Sequence, residues 1–321
     1  METFIVTGGA GFIGSHVVDL LVEHGHRVHV IDDLSTGKRA NLNPAANLHK
    51  IDIRSSKLPA LFRRLKPAVV IHLAAQISVR RSSEDPAADA DINIIGGLNV
   101  LKATHAANAR HFVFASSGAA YGSAKTLPTP EDAPLAPSSP YGIAKAAFER
   151  YLLADHELSG MSDSILRFAN VYGPRQNSKG EAGVVAIFLK YLCDGVSPTI
   201  NGNGGQSRDF VYVGDIARMV VLAAERRLHG IFNVSTGVET SINDIFRILR
   251  QISGSEVEAK HAAAKPNEDR RSVLDPRRAA KVGWRPQVSI EEGLSLAYAS
   301  VAKTRSPRPS AEHTRRPAFM R

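Results

Sequence analysis

The chain has 321 residues, of which 43% are hydrophobic and 22% are charged, and it contains a single cysteine, Cys193. These figures exclude a chain that is disordered throughout, a collagen repeat, an intrachain disulfide scaffold and a cysteine metal cluster. The length accommodates one large domain or two smaller ones with a substantial buried core. We therefore expect a globular protein of enzymatic size.

The formal net charge of +9 is unevenly distributed along the chain. Residues 303–321 hold six Lys and Arg, three Pro and one Glu, so more than half of the net charge lies in the last 19 residues. This composition predicts a solvated, poorly ordered tail. We expect no nucleic-acid partner, because the tail lacks the interleaved aromatic residues of a base-stacking surface.

The start of the chain gives an expectation about its location. Met1 is followed almost directly by the apolar run Phe4 to Thr7, without the basic segment and long apolar stretch of a secretory signal. No apolar run approaches the ~18 residues of a membrane span. Together with the single cysteine, these features predict a cytoplasmic protein.

Short β-branched runs alternate with longer amphipathic stretches, which predicts an α/β fold with helices on both faces of a parallel sheet. Strands are predicted at Phe4 to Thr7, Arg27 to Ile31, Leu48 to Ile51, Ala68 to Leu73, His111 to Ala115 and Ser164 to Phe168. Helices are predicted at Gly11 to His24, Leu58 to Lys66, Asp89 to Ala107, Pro140 to Leu158 and Gly183 to Asp194. Gly96 and Gly97 weaken the third of these helices.

The strict alternation ends near Asn177, which predicts a smaller C-terminal lobe. It should contain a helix from Asp215 to Glu225, a strand from Ile231 to Val234, and helices starting near Ser241 and Ile290. We predict a Rossmann-type dinucleotide-binding domain at 1–176, a substrate lobe mainly at 177–302 and the tail at 303–321. Residues 215–240 are a candidate segment for return to the first domain.

A glycine-rich segment between the first strand and the first helix indicates a dinucleotide site. Gly8, Gly9, Gly11 and Gly14 satisfy both G-x-G-x-x-G and G-x-x-G-x-x-G, and Phe12 and Ile13 lie in the first turn of the predicted helix whose N-terminus would face the pyrophosphate. Asp32 follows about 20 residues later, where a carboxylate accepts hydrogen bonds from the adenosine ribose. Because a carboxylate repels a 2′-phosphate, NAD is favoured over NADP.

Other residues at the carboxyl ends of predicted strands are candidates for the cofactor crevice, where ligands of such sheets bind. They are Asp33 beside Asp32, Asp52 and Ile53 near the adenine, and Leu73, Ala74 and Ala75 after the fourth strand.

A tyrosine and a lysine four residues apart, Tyr141 and Lys145, indicate the chemistry of the site. They share one face of a predicted helix, and a nearby ammonium group favours the phenolate over the phenol. Ser116 and Ser117 follow the fifth strand and offer a hydroxyl to orient a reacting oxygen. After a dinucleotide-binding motif, this pattern predicts proton transfer coupled to hydride transfer.

Five segments, TGGAGFIGSH, HLAAQ, SSGAAYG, YGIAK and RFANVYGPRQ, occur in this order. Together they resemble the extended short-chain dehydrogenase/reductase family, in its NAD-dependent epimerase/dehydratase branch typified by UDP-glucose 4-epimerases. The resemblance covers about Thr3 to Leu296. It implies that Tyr141 takes the proton of the sugar 4-hydroxyl while hydride leaves carbon 4 for NAD, that Lys145 lowers the phenol pKa and holds the nicotinamide ribose, and that Ser117 binds the reacting oxygen.

The resemblance also assigns residues to the cofactor and to a UDP-sugar. Asn93 matches a cofactor-pocket asparagine, and Arg208 matches an arginine that binds the diphosphate. The other substrate positions are Asn170, Val184, Thr199, Ile200, Asn201, Lys265, Glu268 and Arg270. Lys265-Pro266-Asn267-Glu268 stands where many members have Arg-Pro-Gly-Asp, so Arg270 is expected to compensate. Ser272 falls where a bulky residue restricts some sugar pockets, which leaves N-acetylhexosamines and uronic acids open as substrates.

Several alternatives remain at this stage. A dehydratase needs an acid directly after the serine of the fifth strand, but Gly118 and Ala119 occupy those positions. A non-catalytic NAD-binding regulator is disfavoured by Ser117, Tyr141 and Lys145. No metal site is expected, since the 12 histidines form no H-E-x-x-H pattern. The resemblance implies a homodimer through the helices near Asp89 and Pro140.

Overall fold

The protein was analysed as a computed structural model that describes residues 1–177, 183–264 and 269–303. The strands are β1 (Thr3–Thr7), β2 (Arg27–Asp32), β3 (Asn47–Lys50), β4 (Val69–His72), β5 (His111–Ser117), β6 (Ser162–Phe168), β7 (Asn170–Tyr172), β8 (Thr199–Asn201), β9 (Ser207–Tyr212), β10 (Gly230–Val234), β11 (Glu239–Ser241), β12 (Lys260–Ala262) and β13 (Arg271–Ser272). The α-helices are α1 (Phe12–Glu23), α2 (Leu58–Leu65), α3 (Val79–Glu84), α4 (Pro86–Ala90), α5 (Gly97–Ala106), α6 (Pro140–Ser159), α7 (Val184–Asp194), α8 (Val213–Arg226), α9 (Ile242–Ser253), α10 (Arg277–Lys281) and α11 (Ile290–Lys303).

The main sheet has seven strands in the order β10-β6-β5-β4-β1-β2-β3, all of them parallel. Its order reverses between β1 and β4, where the crevice of a doubly wound sheet opens. The fold class predicted from alternating strands and helices is therefore confirmed. The predicted strand at Ile231 to Val234 lies in this sheet beside β6, so a late segment of the chain does return to it.

Two apolar clusters cover the two faces of the main sheet. One joins β1, β2 and β4 to α1 and α8, and the other joins β4 and β5 to α2, α5 and α6. The inward-facing strand positions are almost all Val, Ile, Leu and Phe, as expected for strands that are covered on both sides. This packing fixes the strand ends from which the site is built.

The predicted helix from Asp89 to Ala107 is interrupted. α4 and α5 are separated by a π-helical turn at Asp91–Gly96, and a Cβ at Gly97 would lie 2.7 Å from the Phe148 ring. Gly97 therefore lets the helix pack closely on α6, and Gly96 lets it pack closely on Ile53. The sequence also gave no signal for the short helices α3 and α10.

The C-terminal lobe is built on small strands and three helices. β7, β11 and β13 pair with β9, β12 pairs with β8, and α7, α9 and α11 enclose a third apolar cluster. Within the described residues no helix is long and apolar enough to cross a membrane. The tail at 304–321 and the predicted substrate residues Lys265 and Glu268 lie outside the described residues.

Candidate active site

The glycine-rich turn brings the end of β1 against both α1 and the end of β4. Gly8 has a φ of +71°, and a Cβ there would lie 2.7 Å from the Ala74 nitrogen. A Cβ at Gly14 would lie 2.1 Å from the Gly8 carbonyl oxygen. Only glycine allows these approaches, and they leave the first N–H groups of α1, at Phe12, Ile13 and Gly14, facing the crevice as an anion site.

Asp32 ends β2 beside this turn and is only 7% exposed. Its Oδ2 accepts a hydrogen bond from the Ala10 N–H at 2.9 Å, and its Oδ1 accepts one from the Leu34 N–H at 2.8 Å. Burial raises the pKa of Asp32, while these two hydrogen bonds oppose the rise. Each oxygen keeps a lone pair, so Asp32 both fixes the glycine turn and fits the adenosine ribose hydroxyls.

The neighbouring acids predicted for the cofactor are placed differently. Asp33 is exposed and accepts hydrogen bonds from the Ser35 N–H and hydroxyl. The Asp52 carboxylate is bound by the Arg54 guanidinium, which lowers the pKa of Asp52, and Arg54 also contacts Asp91. The Ile53 side chain is buried in the core, so only its backbone is placed to line a pocket. Their cofactor contacts stay predictions.

The loop after β4 forms another wall of the crevice. The Thr7 hydroxyl accepts hydrogen bonds from the Leu73 and Ala74 N–H groups, both at 3.2 Å, and Ala75 follows them with partial exposure. Asn93 is buried, with its amide bonded to both the N–H and the carbonyl of Gln76. Its second amide hydrogen goes to Asp89 Oδ1 at 3.0 Å. Asn93 therefore supports the pocket wall, instead of offering a free amide to the cofactor.

Ser117 and Tyr141 come together where the end of β5 meets the start of α6. The Ser117 hydroxyl lies close enough to the Tyr141 phenol to favour its ionised form, and a Cβ at Gly142 would lie 2.6 Å from the Ala119 carbonyl oxygen. Gly142 thus allows α6 to approach the turn that follows Ser117. The Ser139 hydroxyl caps α6 by accepting a hydrogen bond from the Gly142 N–H at 3.1 Å. This cap fixes the first turn of the helix, in which Tyr141 lies.

The expected lowering of the Tyr141 pKa is not found in the protein alone. Burial raises the pKa of Tyr141 to about 12, and the neighbouring Ser117 hydroxyl only partly opposes the rise. The ammonium Nζ of Lys145 lies 5.8 Å from the centre of the Tyr141 ring and donates to the Ala115 carbonyl at 2.8 Å. Burial lowers the pKa of Lys145 to about 8, while Asp89 and Glu149 oppose the shift. The cation is present, but burial dominates the phenol.

A buried charged pair lies directly behind these residues and was not predicted. Arg167 makes a bidentate contact with Glu149, at 2.6 and 3.0 Å, and Glu149 also accepts a hydrogen bond from the Ser116 hydroxyl. Both charged side chains are almost fully buried. An arginine inside the apolar run of β6 was the available signal, because a buried cation requires an acidic partner.

The predicted substrate residues of the C-terminal part lie on β7, α7 and β9. Asn170 is exposed at the start of β7, and Val184 begins α7. β7 pairs with β9, where Arg208 donates to the Ser207 carbonyl and faces Ser272 of β13 in the strand register. The buried Asp209 carboxylate instead holds Thr236 and Gly237. Arg208 and Asp209 are therefore not a simple surface pair.

The remaining substrate positions are mixed. In β8, Thr199 is exposed and Asn201 is partly exposed, but Ile200 points into the apolar cluster of the lobe. Strand alternation turns the Ile200 side chain inward, and the assignment of Ile200 to the substrate pocket stays a prediction. Arg270 is exposed just before β13.

These features define an α/β protein with a dinucleotide crevice and a Ser-Tyr-Lys centre at the carboxyl edge of its sheet. The family model described as "NAD dependent epimerase/dehydratase family" matches residues 4–235, and the chain belongs to that family. A curated UDP-glucose 4-epimerase of Mycolicibacterium smegmatis is 43% identical over 91% of this chain and 96% of its own length.

Two solved structures are similar over nearly the whole chain. A UDP-glucose 4-epimerase of Thermotoga maritima, solved with UDP-glucose, is 44% identical with a TM-score of 0.91, covering 94% of this chain and 99% of its own. A UDP-glucose 4-epimerase of Thermus thermophilus, solved with NAD, is 40% identical with a TM-score of 0.89 and the same coverage.

Proposed function

We propose that the chain is an NAD-dependent 4-epimerase of UDP-hexoses, interconverting UDP-glucose and UDP-galactose. The observation that carries the proposal is that Ser117 and Tyr141 lie together, with Lys145 anchored on the Ala115 carbonyl, at the strand edge that faces the glycine turn and Asp32. The similarity to UDP-glucose 4-epimerases over more than nine tenths of the chain supports the substrate class.

The crevice fits NAD by its own chemistry. Side chains on Gly8 and Gly14 would fill the space beside the α1 N-terminus, which therefore suits a pyrophosphate, and the Asp32 carboxylate disfavours a 2′-phosphate. When bound, oxidised nicotinamide accepts hydride from carbon 4 of the sugar and returns it to the opposite face, so no net reduction occurs. Asp32, Lys145 and the α1 N-terminus would hold the dinucleotide.

Tyr141 would exchange the proton of the 4-hydroxyl, and Ser117 would orient that oxygen. Because the pKa of Tyr141 is about 12 in the protein alone, its ionisation needs additional positive charge close to the ring. Lys145, with a pKa of about 8, is largely charged at neutral pH, but this charge is already present in the protein alone, so the oxidised nicotinamide ring would supply the additional one. The 4-keto sugar would turn within the pocket before hydride returns.

We assign the two functions to different parts of the chain. Residues 1–176 together with α8 and β10 would hold NAD. Residues 177–302 would hold the UDP group, with Arg208 on the diphosphate through its planar guanidinium. Thr199 and Asn201 would line the nucleobase, with Asn170, Val184 and Arg270 nearby. Lys265 and Glu268 stay predictions for the same pocket.

A dehydratase is disfavoured by the turn after Ser117. Gly118–Ala120 forms a 3-10 turn in which the Ala119 N–H donates to the Ser117 hydroxyl at 3.1 Å. Neither Gly118 nor Ala119 can transfer the additional proton that elimination requires. The geometry therefore favours epimerisation over loss of water.

The proposal is tested with purified protein, UDP-galactose and no added NAD, with the product resolved by proton NMR. We expect UDP-glucose to form without accumulation of NADH. Tyr141→Phe should lower turnover at least about 1,000-fold, whereas Tyr151→Phe, an exposed position ten residues along the same helix, should leave it within about twofold. Equal turnover of Tyr141→Phe and the parent would remove Tyr141 as the base.

We infer that the chain forms a homodimer through α6. Ile143, Tyr151 and Leu158 lie on one face of this helix at helical spacing and are exposed, as is Ile95 in the adjoining π-helical turn. An apolar helix face of this kind is typical of a protein interface. In analytical ultracentrifugation, Ile143→Asp should shift the protein to monomer, whereas Val238→Asp, at another exposed apolar position, should not. A monomeric parent would contradict the inference.

We also infer a cytoplasmic location, in line with the presence of one cysteine in the whole sequence. Cell fractionation tests this, and recovery of the full-length chain in an extracellular or membrane fraction would oppose it.

A further inference from the structure

Three side chains that lie far apart in the sequence meet at the edge of the sheet opposite the active site. His156 is in the last turns of α6, Asp163 is the second residue of β6, and His229 directly precedes β10. Asp163 pairs in register with Phe112, whereas Ser117 pairs with Phe168 at the other end of the same strands. Five residues of strand, roughly 16 Å, therefore separate this cluster from the catalytic edge.

Asp163 lacks the partners that a buried carboxylate normally has. It is 2% exposed, and among the residues that the structure describes neither of its oxygens receives a hydrogen bond of suitable geometry. The His229 Nδ1 lies 2.9 Å from its Oδ1, but the ring nitrogen does not point at the oxygen as a donor should. A buried carboxylate in this state requires a cation.

The two histidines are arranged as ligands more than as donors. The His156 Nδ1 lies 2.9 Å from the Met161 carbonyl oxygen, so it carries the hydrogen and leaves Nε2 with a free lone pair. A backbone carbonyl in this position fixes the tautomer of a metal-binding histidine. The His229 ring stacks on the His156 ring with centroids 3.9 Å apart and is 47% exposed, which gives an ion access from solvent.

We propose that His156, Asp163 and His229 bind a divalent transition-metal ion, with Zn²⁺ as the best fit. Two imidazole nitrogens and one carboxylate oxygen are ligands of zinc-type ions, whereas Mg²⁺ and Ca²⁺ prefer oxygen alone. The three ligand atoms lie within 4.8 Å of one another. Two ligands of a tetrahedral zinc ion lie about 3.4 Å apart, so closing the site needs an approach of up to about 1.4 Å between ligand atoms and a rotation of the His229 ring out of its stack on His156.

The short His229–Asp163 distance agrees with a shared ion. Two ligand atoms 2.9 Å apart subtend an angle of roughly 90° at an ion about 2.1 Å from each, so that ion lies off the line joining them. The His229 Nδ1 does not point at the Asp163 Oδ1, which is compatible with an ion in that position. The cluster could not be predicted from the sequence, because residues 7 and 66 positions apart form no metal-binding motif.

A second cluster of the same residue types provides the control. His24 and His26 lie 2.7 and 3.0 Å from Glu225 Oε1, and both contacts have hydrogen-bond geometry. His24 is 41% exposed, close to the value for His229. Because this carboxylate already has its partners, we expect no ion there.

The test is a Co²⁺ titration of the full chain after removal of metal by a chelator. We expect one equivalent of Co²⁺ to produce the visible absorption of a site with nitrogen and oxygen ligands, and Zn²⁺ to abolish it by displacement. His229→Gln and Asp163→Asn should each weaken Co²⁺ binding at least about 10-fold. The matched variant His24→Gln should bind like the parent.

Stability and turnover distinguish the remaining outcomes. Zn²⁺ should raise the Tm of the parent by a few degrees but not that of His229→Gln, a half-exposed position whose replacement leaves the core intact. The proposal would be overturned if the parent showed no Co²⁺ absorption, which would leave a histidine–carboxylate contact without an ion. It would also be overturned if His229→Gln kept the absorption or His24→Gln lost it, since the ion would then bind at a different site. Epimerase turnover of His229→Gln should equal that of the parent, so failure of this proposal does not affect the proposed function.

Discussion

Replacing Lys145 with Met should give a chain that is inactive but more stable than the parent. Burial lowers the pKa of Lys145 from 10.5 to about 8, even though Asp89 and Glu149 favour its charged form. Each pKa unit corresponds to about 1.4 kcal/mol, so holding this ammonium in the folded chain at neutral pH costs about 3 kcal/mol. Met has nearly the same length and carries no such cost.

The pH dependence of the added stability of Lys145→Met identifies the buried ammonium as its cause. The folded-state pKa of Lys145 lies below the unfolded-state value, so the unfolded chain binds more protons between about pH 8 and 10.5 and parent stability rises with pH there. The advantage of Lys145→Met should fall from about 3 kcal/mol at pH 7 to about 1.5 kcal/mol near pH 9.5. The raised pKa of Tyr141 changes the stability only above about pH 10, where ionisation of this phenol favours the unfolded chain.

The assay is urea unfolding of nucleotide-free parent and variant, with turnover of UDP-galactose measured on the same preparations. Lys190→Met is the matched control, since Lys190 is half exposed and its ion pair with Asp194 is worth at most about 1 kcal/mol. A Lys145→Met chain less stable than the parent, or a gain that does not change with pH, would refute the reasoning. Turnover equal to that of the parent would exclude Lys145 from the catalytic centre.

Three further predictions concern the elements that surround the centre. Asp32→Ala should release NAD, measured by the nucleotide content of the purified chain, whereas the exposed Asp33→Ala should retain it. Glu149→Gln should lower the free energy of unfolding by about 3 kcal/mol, because it leaves Arg167 buried without its anion, whereas the exposed Glu84→Gln should change it by less than about 0.5 kcal/mol. Gly142→Ala should reduce turnover more than stability, measured on one sample, because its Cβ would push α6 and Tyr141 away from Ala119.

These predictions also have clear contrary outcomes. Full NAD retention by Asp32→Ala would remove the ribose contact, and unchanged stability of Glu149→Gln would show that the buried pair contributes nothing. Parent-like turnover of Gly142→Ala would show that the approach of α6 to Ala119 does not position the phenol.

The main sheet was predictable because its signals are local. Apolar runs of four to seven residues mark the buried parallel strands, and a glycine turn followed by an acid marks the nucleotide edge. The interruption between α4 and α5 was not predictable, since the space at Gly97 is limited by Phe148, which lies about 50 residues further along the chain, and the space at Gly96 is limited by Ile53. Short strands such as β8 and β13 are set by pairing and not by propensity.

Only the part of the candidate site that depends on local signals was predictable. The positions of Ser117, Tyr141 and Lys145 follow from strand ends and helical spacing, but the direction of the Tyr141 pKa does not, because burial of the phenol depends on packing from several elements. The inward direction of the Ile200 side chain was not predictable, since three residues of β8 carry too little pattern to fix the face. The partners of Glu149 and of Asp163 come from distant segments, which spacing alone cannot reveal.

The most direct test of the proposed function is to convert UDP-galactose in deuterated water without added NAD and to read the product by NMR. The proposed reaction predicts that UDP-glucose keeps protium at carbon 4, because hydride leaves and returns within one active site. It also predicts that no NADH accumulates. Deuterium at a sugar carbon, loss of water from the sugar, or NADH formed in proportion to product would contradict the proposed reaction.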